Sequence, residues 1–205
     1  MATMCADQVI KRQDYEIITA LVSDEATVLD LGCGDGSLLS HLSDTRNISG
    51  YGVERDDKKV LASLSNGINV IQADLEQGLS GFATDAFDYV ILSLTLQAVH
   101  ETETIIEEML RVGKQVIVTF PNFGLWRHRL QIFFGETPTS KELPYQWYDT
   151  PNVHVLTIKD FEEFCKTHGI SILERIVINE AGNMVGAFPN LLGALAIYRF
   201  NKVAK

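Results

Sequence analysis

One stretch decides how this chain folds: Val28-Leu29-Asp30-Leu31-Gly32-Cys33-Gly34-Asp35-Gly36-Ser37-Leu38-Leu39. Apolar residues lead into an acid, glycines then occupy every second position, and a mixture of apolar and polar residues follows. This order predicts a strand, a tight loop and a helix. Glycine allows a sharp turn and lets a ligand approach more closely than a Cβ would permit. The free N–H groups at the start of the helix attract electron-rich atoms, so the stretch predicts a ligand-binding loop.

The spacing of the glycines distinguishes between two kinds of loop. A dinucleotide-binding loop has the pattern G-x-G-x-x-G, which would require a glycine where this chain has Ser37. The pattern here is G-x-G-x-G, which resembles motif I of the class I S-adenosylmethionine (SAM)-dependent methyltransferases. In those proteins the loop wraps around the methionine end of the cofactor. A strand-to-helix turn without a ligand remains the alternative for the loop taken alone.

Two acids stand at the ends of the next predicted strands. Glu54 follows the short strand 49–53 and lies 22 residues after Gly32. An acid at that point accepts hydrogen bonds from ribose hydroxyls in both SAM and NAD sites. Asp74 follows the strand 69–72 and has the apolar Leu75 beside it, a pair that matches the adenine-binding position of the methyltransferases. The alternative for either acid is a solvated carboxylate in a turn.

Strands and helices alternate along most of the chain, which predicts a doubly wound α/β sheet of seven strands. The strand 87–93 is apolar enough to lie at the centre of a parallel sheet. Its carboxyl end faces the transferred methyl group in the resembled fold, so Leu92 and Ser93 are assigned to the cofactor site. The other predicted strands lie near 27–31, 115–120, 170–178 and 194–200, and helices lie near 7–22, 37–42, 58–65, 101–111 and 157–168. Thr102 and Thr157 are the predicted N-caps of the last two helices.

The segment 121–156 has a different composition, because it is rich in aromatic residues and is broken by glycine and proline. Long connections in compact domains are usually functional or disordered, and the aromatic content argues against disorder. We interpret the segment as a lid or a partner-binding surface over the cofactor crevice. The alternative is that its aromatic side chains pack beneath an inert loop. The candidate residues for a substrate or partner are Tyr15 from the leading helix and Trp126, Arg127, Trp147 and Tyr148.

Composition limits the remaining classes of function. The net charge of −10 and the pI near 4.9 disfavour nucleic acid as a partner. The three cysteines form no C-x-x-C pair, which indicates a reducing cytoplasm, and Cys33 is interpreted as a small loop filler.

The chain has no hydrophobic region typical of a signal peptide and no apolar run that approaches the ~20 residues of a membrane helix. No pair of histidines has metal-ligand spacing, so no metal is expected. The length fits a single domain over residues 1–205.

Most of the chain resembles the methionine biosynthesis protein MetW family. The resemblance rests on the glycine loop, Gln72-Ala73-Asp74-Leu75-Glu76, the strand 87–93, and two distal runs. The distal runs are Pro121-Asn122-Phe123-Gly124-Leu125-Trp126-Arg127-His128-Arg129 and Leu143-Pro144-Tyr145-Gln146-Trp147-Tyr148-Asp149-Thr150-Pro151-Asn152-Val153-His154. The glycine loop occurs across the whole superfamily, whereas the distal aromatic runs do not.

The resemblance implies a SAM-type fold whose last strand is antiparallel, and a role beside homoserine O-acyltransferase in methionine synthesis. It implies no settled methyl acceptor. Glu54 would bind the ribose, Asp74 and Leu75 the adenine, and the loop the methionine moiety. The implied loop residues are Asp30, Gly32, Gly34 and Gly36, and Cys33 is assigned to the same site.

Three classes of function remain open. The first class is a methyltransferase that acts on an unidentified small molecule. The second is a protein that senses SAM or S-adenosylhomocysteine (SAH) and regulates an acyltransferase. The third class, an NAD-dependent dehydrogenase, is disfavoured by Ser37 and by the lack of a convincing catalytic pair. No catalytic residue is predicted, because methyl transfer from an activated donor requires orientation more than acid-base groups.

Overall fold

The computed structural model describes residues 14–203 and contains one seven-stranded sheet. The strand order is β3-β2-β1-β4-β5-β7-β6. The strands are β1 (Thr27–Leu31), β2 (Ser49–Glu54), β3 (Val70–Gln72), β4 (Phe87–Ser93), β5 (Gly113–Pro121), β6 (Ile170–Ile178) and β7 (Leu195–Lys202).

The first five strands are parallel, and β7 is antiparallel to both of its neighbours, β5 and β6. This confirms the predicted sheet and its antiparallel last strand. Asp30 near the end of β1 is in register with Gly52 of β2 and Ile91 of β4. The chain changes direction across the sheet between β1 and β4. A crevice for a ligand is therefore expected outside the carboxyl ends of these two strands.

Each helix that the sequence pattern predicts is present, with differences at the ends. The helical residues 14–21 (α1) belong to the predicted helix 7–22, whose residues 7–13 lie outside the described part of the chain. The second helix continues beyond the predicted end at Leu42 as far as Arg46, and Asn47 caps it in the left-handed region. The helices after α1 are α2 (Ser37–Arg46), α3 (Asp57–Ser65), α4 (Thr102–Val112), α5 (Trp126–Phe133), α6 (Ile158–Thr167) and α7 (Pro189–Leu192).

The two faces of the sheet support separate apolar cores, because successive side chains of a strand point to opposite faces. Leu29 of β1 belongs to the core beneath α4 and α6, together with Met109 and Phe161. Val28 belongs to the core on the other face, beneath α1 and α2, together with Ile18. The sheet is thus covered by helices on both faces, as a doubly wound fold requires.

Of the two predicted N-caps, Thr157 is confirmed and Thr102 is not. Thr157 caps α6 in a capping box, in which its hydroxyl oxygen accepts from the Asp160 N–H and the Asp160 carboxylate accepts from the Thr157 N–H. The prediction for Thr102 is wrong, since Thr102 is already the first residue of α4 and Glu101 holds the cap position. The Thr102 hydroxyl instead donates to the Val99 carbonyl at 3.3 Å, which lies just after a 3₁₀ turn.

Helices α5 and α7 are absent from the sequence prediction. Helix α5 lies inside the aromatic segment, and α7 lies in the glycine-containing connection between β6 and β7. In the part of the chain from residue 14 to 203, no helix is both long enough and apolar enough to cross a membrane.

Candidate functional site

The glycine loop has the backbone conformation that its sequence predicts. Gly32, Gly34 and Gly36 have φ angles of 70°, 60° and 78°, in the left-handed region. A Cβ on Gly32 would lie 2.9 Å from the Thr95 hydroxyl oxygen, and one on Gly36 would lie 2.9 Å from a side-chain carbon of Ile68. Both the turn and the neighbouring side chains therefore require glycine at these two positions.

Glu54 anchors this loop. Its side chain is buried, and Oε2 accepts a hydrogen bond from the Gly34 N–H at 3.0 Å. The other oxygen, Oε1, accepts from the N–H groups of Arg55 and Asp56 at 2.9 and 3.0 Å. A carboxylate has about four lone-pair positions, so Oε2 retains the capacity to accept from a ligand hydroxyl.

A cleft of about 270 Å³ opens beside the loop at the carboxyl ends of β1, β2 and β3. Four of the predicted cofactor residues line it together: Gly32, Glu54, Asp74 and Leu75. Sequence reasoning missed its other side, which is formed by Leu94, Thr95, Ala98 and Val99 after β4 and by Tyr145 and Pro151 of the aromatic segment.

Asp74 presents an open acceptor in this cleft. Its Oδ1 accepts from the Glu76 N–H at 3.0 Å and caps the 3₁₀ turn Leu75–Gln77. Within residues 14–203, no donor reaches the other oxygen, Oδ2. The partly buried Leu75 packs against the core at the same edge of the cleft. An open acceptor beside an apolar side chain suits a flat aromatic base that carries an amino group.

The start of α2 is occupied by protein groups. The Asp35 carboxylate accepts from both the Ser37 N–H, at 3.1 Å, and the Ser37 hydroxyl, at 2.6 Å. The Ser37 N–H, one of the donors that a pyrophosphate would use at this helix N-terminus, is therefore already bonded to Asp35. This geometry strengthens the argument from the glycine spacing against a dinucleotide.

The two residues assigned at the end of β4 do not line the cleft. Leu92 is fully buried in the core, and the Ser93 hydroxyl donates to Asp14 Oδ2 at 3.2 Å. The residue that reaches the cleft is Leu94, which has a φ of 50°. Such a conformation costs a non-glycine residue about 1–3 kcal/mol and is typical of functional sites. It is held by the Leu94 N–H, which donates to the Thr119 hydroxyl at 3.0 Å.

Asp30 lies on the face of the sheet that α1 covers, and only 2% of its surface is exposed. Burial raises its pKa to about 8, and the charges of Glu54 and Asp14 add to this effect. Burial likewise raises the pKa of Asp14 to about 7. The pKa of Tyr15 is raised by burial first and then by the charges of Asp30, Asp35 and Asp14. Tyr15 therefore lies close to the acids of the loop, but it packs against the core on this face and is not among the residues that line the cleft.

Cys33 fills space within the loop. Burial is the main cause that raises the pKa of its thiol to about 11, and the charge of Asp30 contributes. Its sulfur occupies the position that a Cβ on Gly52 would require. The thiol is therefore protonated near neutral pH, which supports its interpretation as a loop filler rather than a nucleophile.

Several of the largest side chains of the aromatic segment are exposed rather than packed beneath it. Trp147 and Tyr148 are 72% and 70% exposed, and Phe133 and Phe134 are 79% and 73% exposed. Neither Trp147 nor Tyr148 lines the cleft; that position belongs to Tyr145 and Pro151.

The other two candidates of this segment lie at a separate groove. Trp126 lines a groove of about 520 Å³ with Met184 and Val185. Arg127 donates to both carboxylate oxygens of Glu180, at 2.8 and 3.0 Å. Since this guanidinium already has an anionic partner, it does not form a ready site for another anion.

Comparison with known proteins identifies the family. The family model described as "Methionine biosynthesis protein MetW" matches residues 12–200. The chain belongs to the MetW family. A curated relative of this MetW chain is the bifunctional methionine biosynthesis protein MetXA/MetW of Rhodopirellula baltica, which is 38% identical over 173 residues. That match covers 80% of the MetW chain and 28% of the bifunctional protein, so the chain spans less than a third of the relative's length.

Solved structures show the same fold as this MetW chain. A SAM-dependent methyltransferase from Thermotoga maritima has a TM-score of 0.68 at 16% identity, over 97% of this chain and 92% of that one. The magnesium protoporphyrin IX methyltransferase of Synechocystis PCC 6803, solved with bound SAH, has a TM-score of 0.68 at 18% identity, over 96% and 85%. At these identities the likeness establishes a Rossmann-like methyltransferase fold.

Proposed function

We propose that this MetW chain binds SAM in the cleft beside the glycine loop and transfers its methyl group to a small-molecule acceptor in methionine biosynthesis. The observation that carries the proposal is the convergence of Gly32, Glu54 and Asp74 on one cleft at the carboxyl ends of three adjacent strands. These residues are far apart in sequence, and each matches the methyltransferase pattern for a different part of SAM.

The residues present fit this cofactor. Glu54 Oε2 would accept from a ribose hydroxyl, Asp74 Oδ2 would accept from the adenine amino group, and Leu75 would lie against the ring. The glycine loop leaves room for the methionine end, because Gly32 brings bare backbone to the edge of the cleft. Charge-assisted hydrogen bonds of this kind contribute about 1.5–3 kcal/mol each.

The chain's contribution to methyl transfer is orientation. Bound SAM supplies a methyl group that is already activated by the positive sulfur. Leu94, Thr95, Tyr145 and Pro151 also line the cleft, and in this proposal they position the acceptor beside the cofactor. Alignment of the reacting atoms contributes roughly 7–11 kcal/mol to such reactions.

The test is the formation of SAH from SAM by the purified protein with candidate acceptors that carry hydroxyl, amino or thiol groups. We expect SAH to accumulate with one class of acceptor, and Glu54→Ala to lower the rate at limiting SAM. If SAM stays intact with every acceptor although it binds, methyl transfer is contradicted and the sensing function below is favoured.

A second candidate function is a sensor of SAM or SAH that supports or regulates homoserine O-acyltransferase. The observation that favours it is the relative that joins MetXA and MetW in one bifunctional chain. The family resemblance indicates that the MetXA partner is this acyltransferase. The exposed aromatic side chains of the segment 121–156 offer a surface for such a partner, since aromatic residues are enriched at interfaces.

The sensing function is tested by co-purification with homoserine O-acyltransferase and by partner affinity with and without SAM. We expect the double variant Trp147→Ala, Tyr148→Ala to weaken the complex at least about tenfold and to leave SAM affinity unchanged. Leu61→Ala, at an exposed apolar position of α3, is the control and should bind the partner normally. Because linkage is reciprocal, SAM and the partner must change each other's affinity by the same factor. No association with the acyltransferase contradicts this function.

A further inference from the structure

Leu94, the first residue after β4, has a backbone conformation that is costly for leucine. Its φ angle is 50°, in the left-handed region, and its side chain lines the cleft and is 40% exposed. A side chain exposed to this extent recovers only part of that cost through packing. The surrounding structure must therefore hold Leu94 in place, and two buried polar side chains do so.

The first of these side chains is Thr119 of β5, which is fully buried. Its hydroxyl oxygen accepts from the Leu94 N–H at 3.0 Å. The second is Gln97, which is 6% exposed and lies in the 3₁₀ turn Leu96–Ala98. Its amide nitrogen donates to the Leu94 carbonyl at 2.8 Å. Both polar groups of the Leu94 main chain are thus bonded to buried side chains, which together specify its conformation.

The stability of the fold does not by itself explain a glutamine at position 97. Its Oε1 is buried and accepts no hydrogen bond from residues 14–203. A buried acceptor without a donor is destabilising, and an apolar side chain of similar size would avoid that cost. In the same part of the chain, the bond to Leu94 is the one hydrogen bond that the Gln97 side chain makes. The residue that receives this bond is the one that faces the cleft.

The stretch that Gln97 holds also determines how the cleft is shaped beside the glycine loop. Thr95 follows Leu94, and its hydroxyl oxygen would lie only 2.9 Å from a Cβ on Gly32, so the Thr95 side chain packs directly over that glycine. Leu94, Thr95 and Gly32 all line the cleft. A change in the backbone at Leu94 therefore moves the wall that stands against the loop.

The main chain of Gln97 ties the aromatic segment to the same 3₁₀ turn. Its carbonyl accepts from the N–H groups of Val153 and His154 at 2.9 and 3.0 Å. Pro151, two residues before Val153, lines the cleft. Gln97 therefore joins the part of the cleft wall that follows β4 to the part that the aromatic segment contributes.

We propose that Gln97 is a positioning residue of the cofactor cleft, which acts through Leu94 to shape the wall that SAM and SAH contact. The inference rests on the proposed function, and it adds a residue that does not itself line the cleft. Without the Gln97 amide, the Leu94 carbonyl loses its donor and the residue relaxes toward an ordinary backbone conformation. The side chains of Leu94 and Thr95 then leave the positions that fit the ligand.

The experiment is a double-mutant cycle on SAH affinity, measured by calorimetry. Gln97→Met keeps the length of the side chain and removes the amide, and Leu94→Gly introduces a residue that adopts a positive φ without strain. We expect Gln97→Met to weaken SAH about tenfold in the wild-type background. In the Leu94→Gly background it should change SAH affinity by less than about twofold, because glycine needs no anchor.

Thr119→Val is a second test, because it removes the other side-chain anchor of Leu94 and should show the same dependence on the residue at position 94. Gln131→Ala is the matched control. The Gln131 amide also donates to a main-chain carbonyl, that of Thr139 at 3.2 Å, but Gln131 does not line the cleft and does not contact Leu94. This variant should bind SAH as its background does in both cases.

The inference is overturned if Gln97→Met weakens SAH by the same factor in both backgrounds, as a general loss of structure would. It is also overturned if a folded Gln97→Met protein keeps wild-type SAH affinity. Should Gln97→Met not fold in urea denaturation controls, the Thr119→Val cycle decides by the same two criteria. If the wild-type protein binds no SAH, the proposed function itself fails and this inference fails with it.

Discussion

The Glu54 carboxylate accepts a hydrogen bond from the backbone N–H of Gly34 at 3.0 Å. This contact joins the tip of β2 to the glycine loop after β1, so the two sequence signals that predict the ligand site are one physical unit. The same carboxylate holds the turn after β2 through two further N–H groups. Glu54 therefore shapes the loop, and it also lines the cleft.

Replacement of Glu54 tests this double role. We expect Glu54→Ala to weaken SAH binding by about tenfold or more, since it removes a charged acceptor and loosens the loop. We also expect a loss of about 1–3 kcal/mol in the free energy of unfolding, because three N–H groups lose their acceptor. Calorimetry and urea denaturation measure the two effects. Wild-type SAH affinity in a folded Glu54→Ala protein would contradict the assignment.

Alanine variants of Gly36 and Gly135 distinguish the cost of backbone strain from the cost of steric overlap. Both have φ near 80°, but a Cβ on Gly36 would lie 2.9 Å from Ile68, whereas one on Gly135 would meet no atom within 4 Å. Gly135→Ala should cost only the strain of about 1–2 kcal/mol, partly offset by the stiffer unfolded chain. Gly36→Ala should cost about 1–3 kcal/mol more. Equal losses in urea denaturation would show that the loop tolerates the methyl group.

Asn122 holds the aromatic segment to the rest of the sheet. It is fully buried; its amide donates to the Gly193 carbonyl at 2.8 Å, and its oxygen accepts from the Gly124 N–H at 2.9 Å. We expect Asn122→Ala to lower the free energy of unfolding by about 2–4 kcal/mol, because buried groups lose their partners. The control is Asn183→Ala, at an exposed asparagine, which should change stability by less than about 0.5 kcal/mol. Similar losses in the two variants would contradict this role.

Asp88 gives a prediction of pH dependence. Its pKa is lowered to about 2, first by Lys114, whose ammonium donates to it at 2.8 Å, and then by the N–H and hydroxyl of Thr27. A folded-state pKa below the unfolded value gives stability that is present above about pH 4 and is lost as the pH falls toward about 2. The stability difference between wild type and Asp88→Asn should therefore shrink over that range. A difference that stays constant with pH would contradict the prediction.

The sheet and half of the cleft were predictable because they rest on local signals. Glycines that require a left-handed backbone and acids at strand ends are marked in the sequence itself, so Gly32, Glu54 and Asp74 could be predicted to lie together, and all three line the cleft. The other half depends on tertiary structure. Leu94 has a strained backbone that no sequence pattern marks, and Tyr145 reaches the cleft from a segment about 50 residues further along the chain. Asp14 appears in the sequence as an ordinary surface acid of an amphipathic helix, and only packing buries it.

Leu92 and Ser93 are assigned to the cofactor site only because they stand at the end of the strand that faces the methyl group in the resembled fold. Neither residue lines the cleft. The end of β4 does border the cleft, but the alternation of side chains sends Leu92 into the core and turns Ser93 toward Asp14. A shift of one or two residues along the chain therefore separates a side chain that lines the cleft from one that does not.

Binding of SAM in the cleft beside the glycine loop is tested most directly by calorimetric titration of the wild-type protein with SAH and with NAD. The two ligands share an adenosine but differ in what is attached to it. We expect one equivalent of SAH to bind, and we expect an excess of NAD neither to bind measurably nor to displace it. The reason is that Asp35 already occupies the start of α2, where a pyrophosphate would lie. Tighter binding of NAD than of SAH would contradict the proposal that the cleft binds SAM.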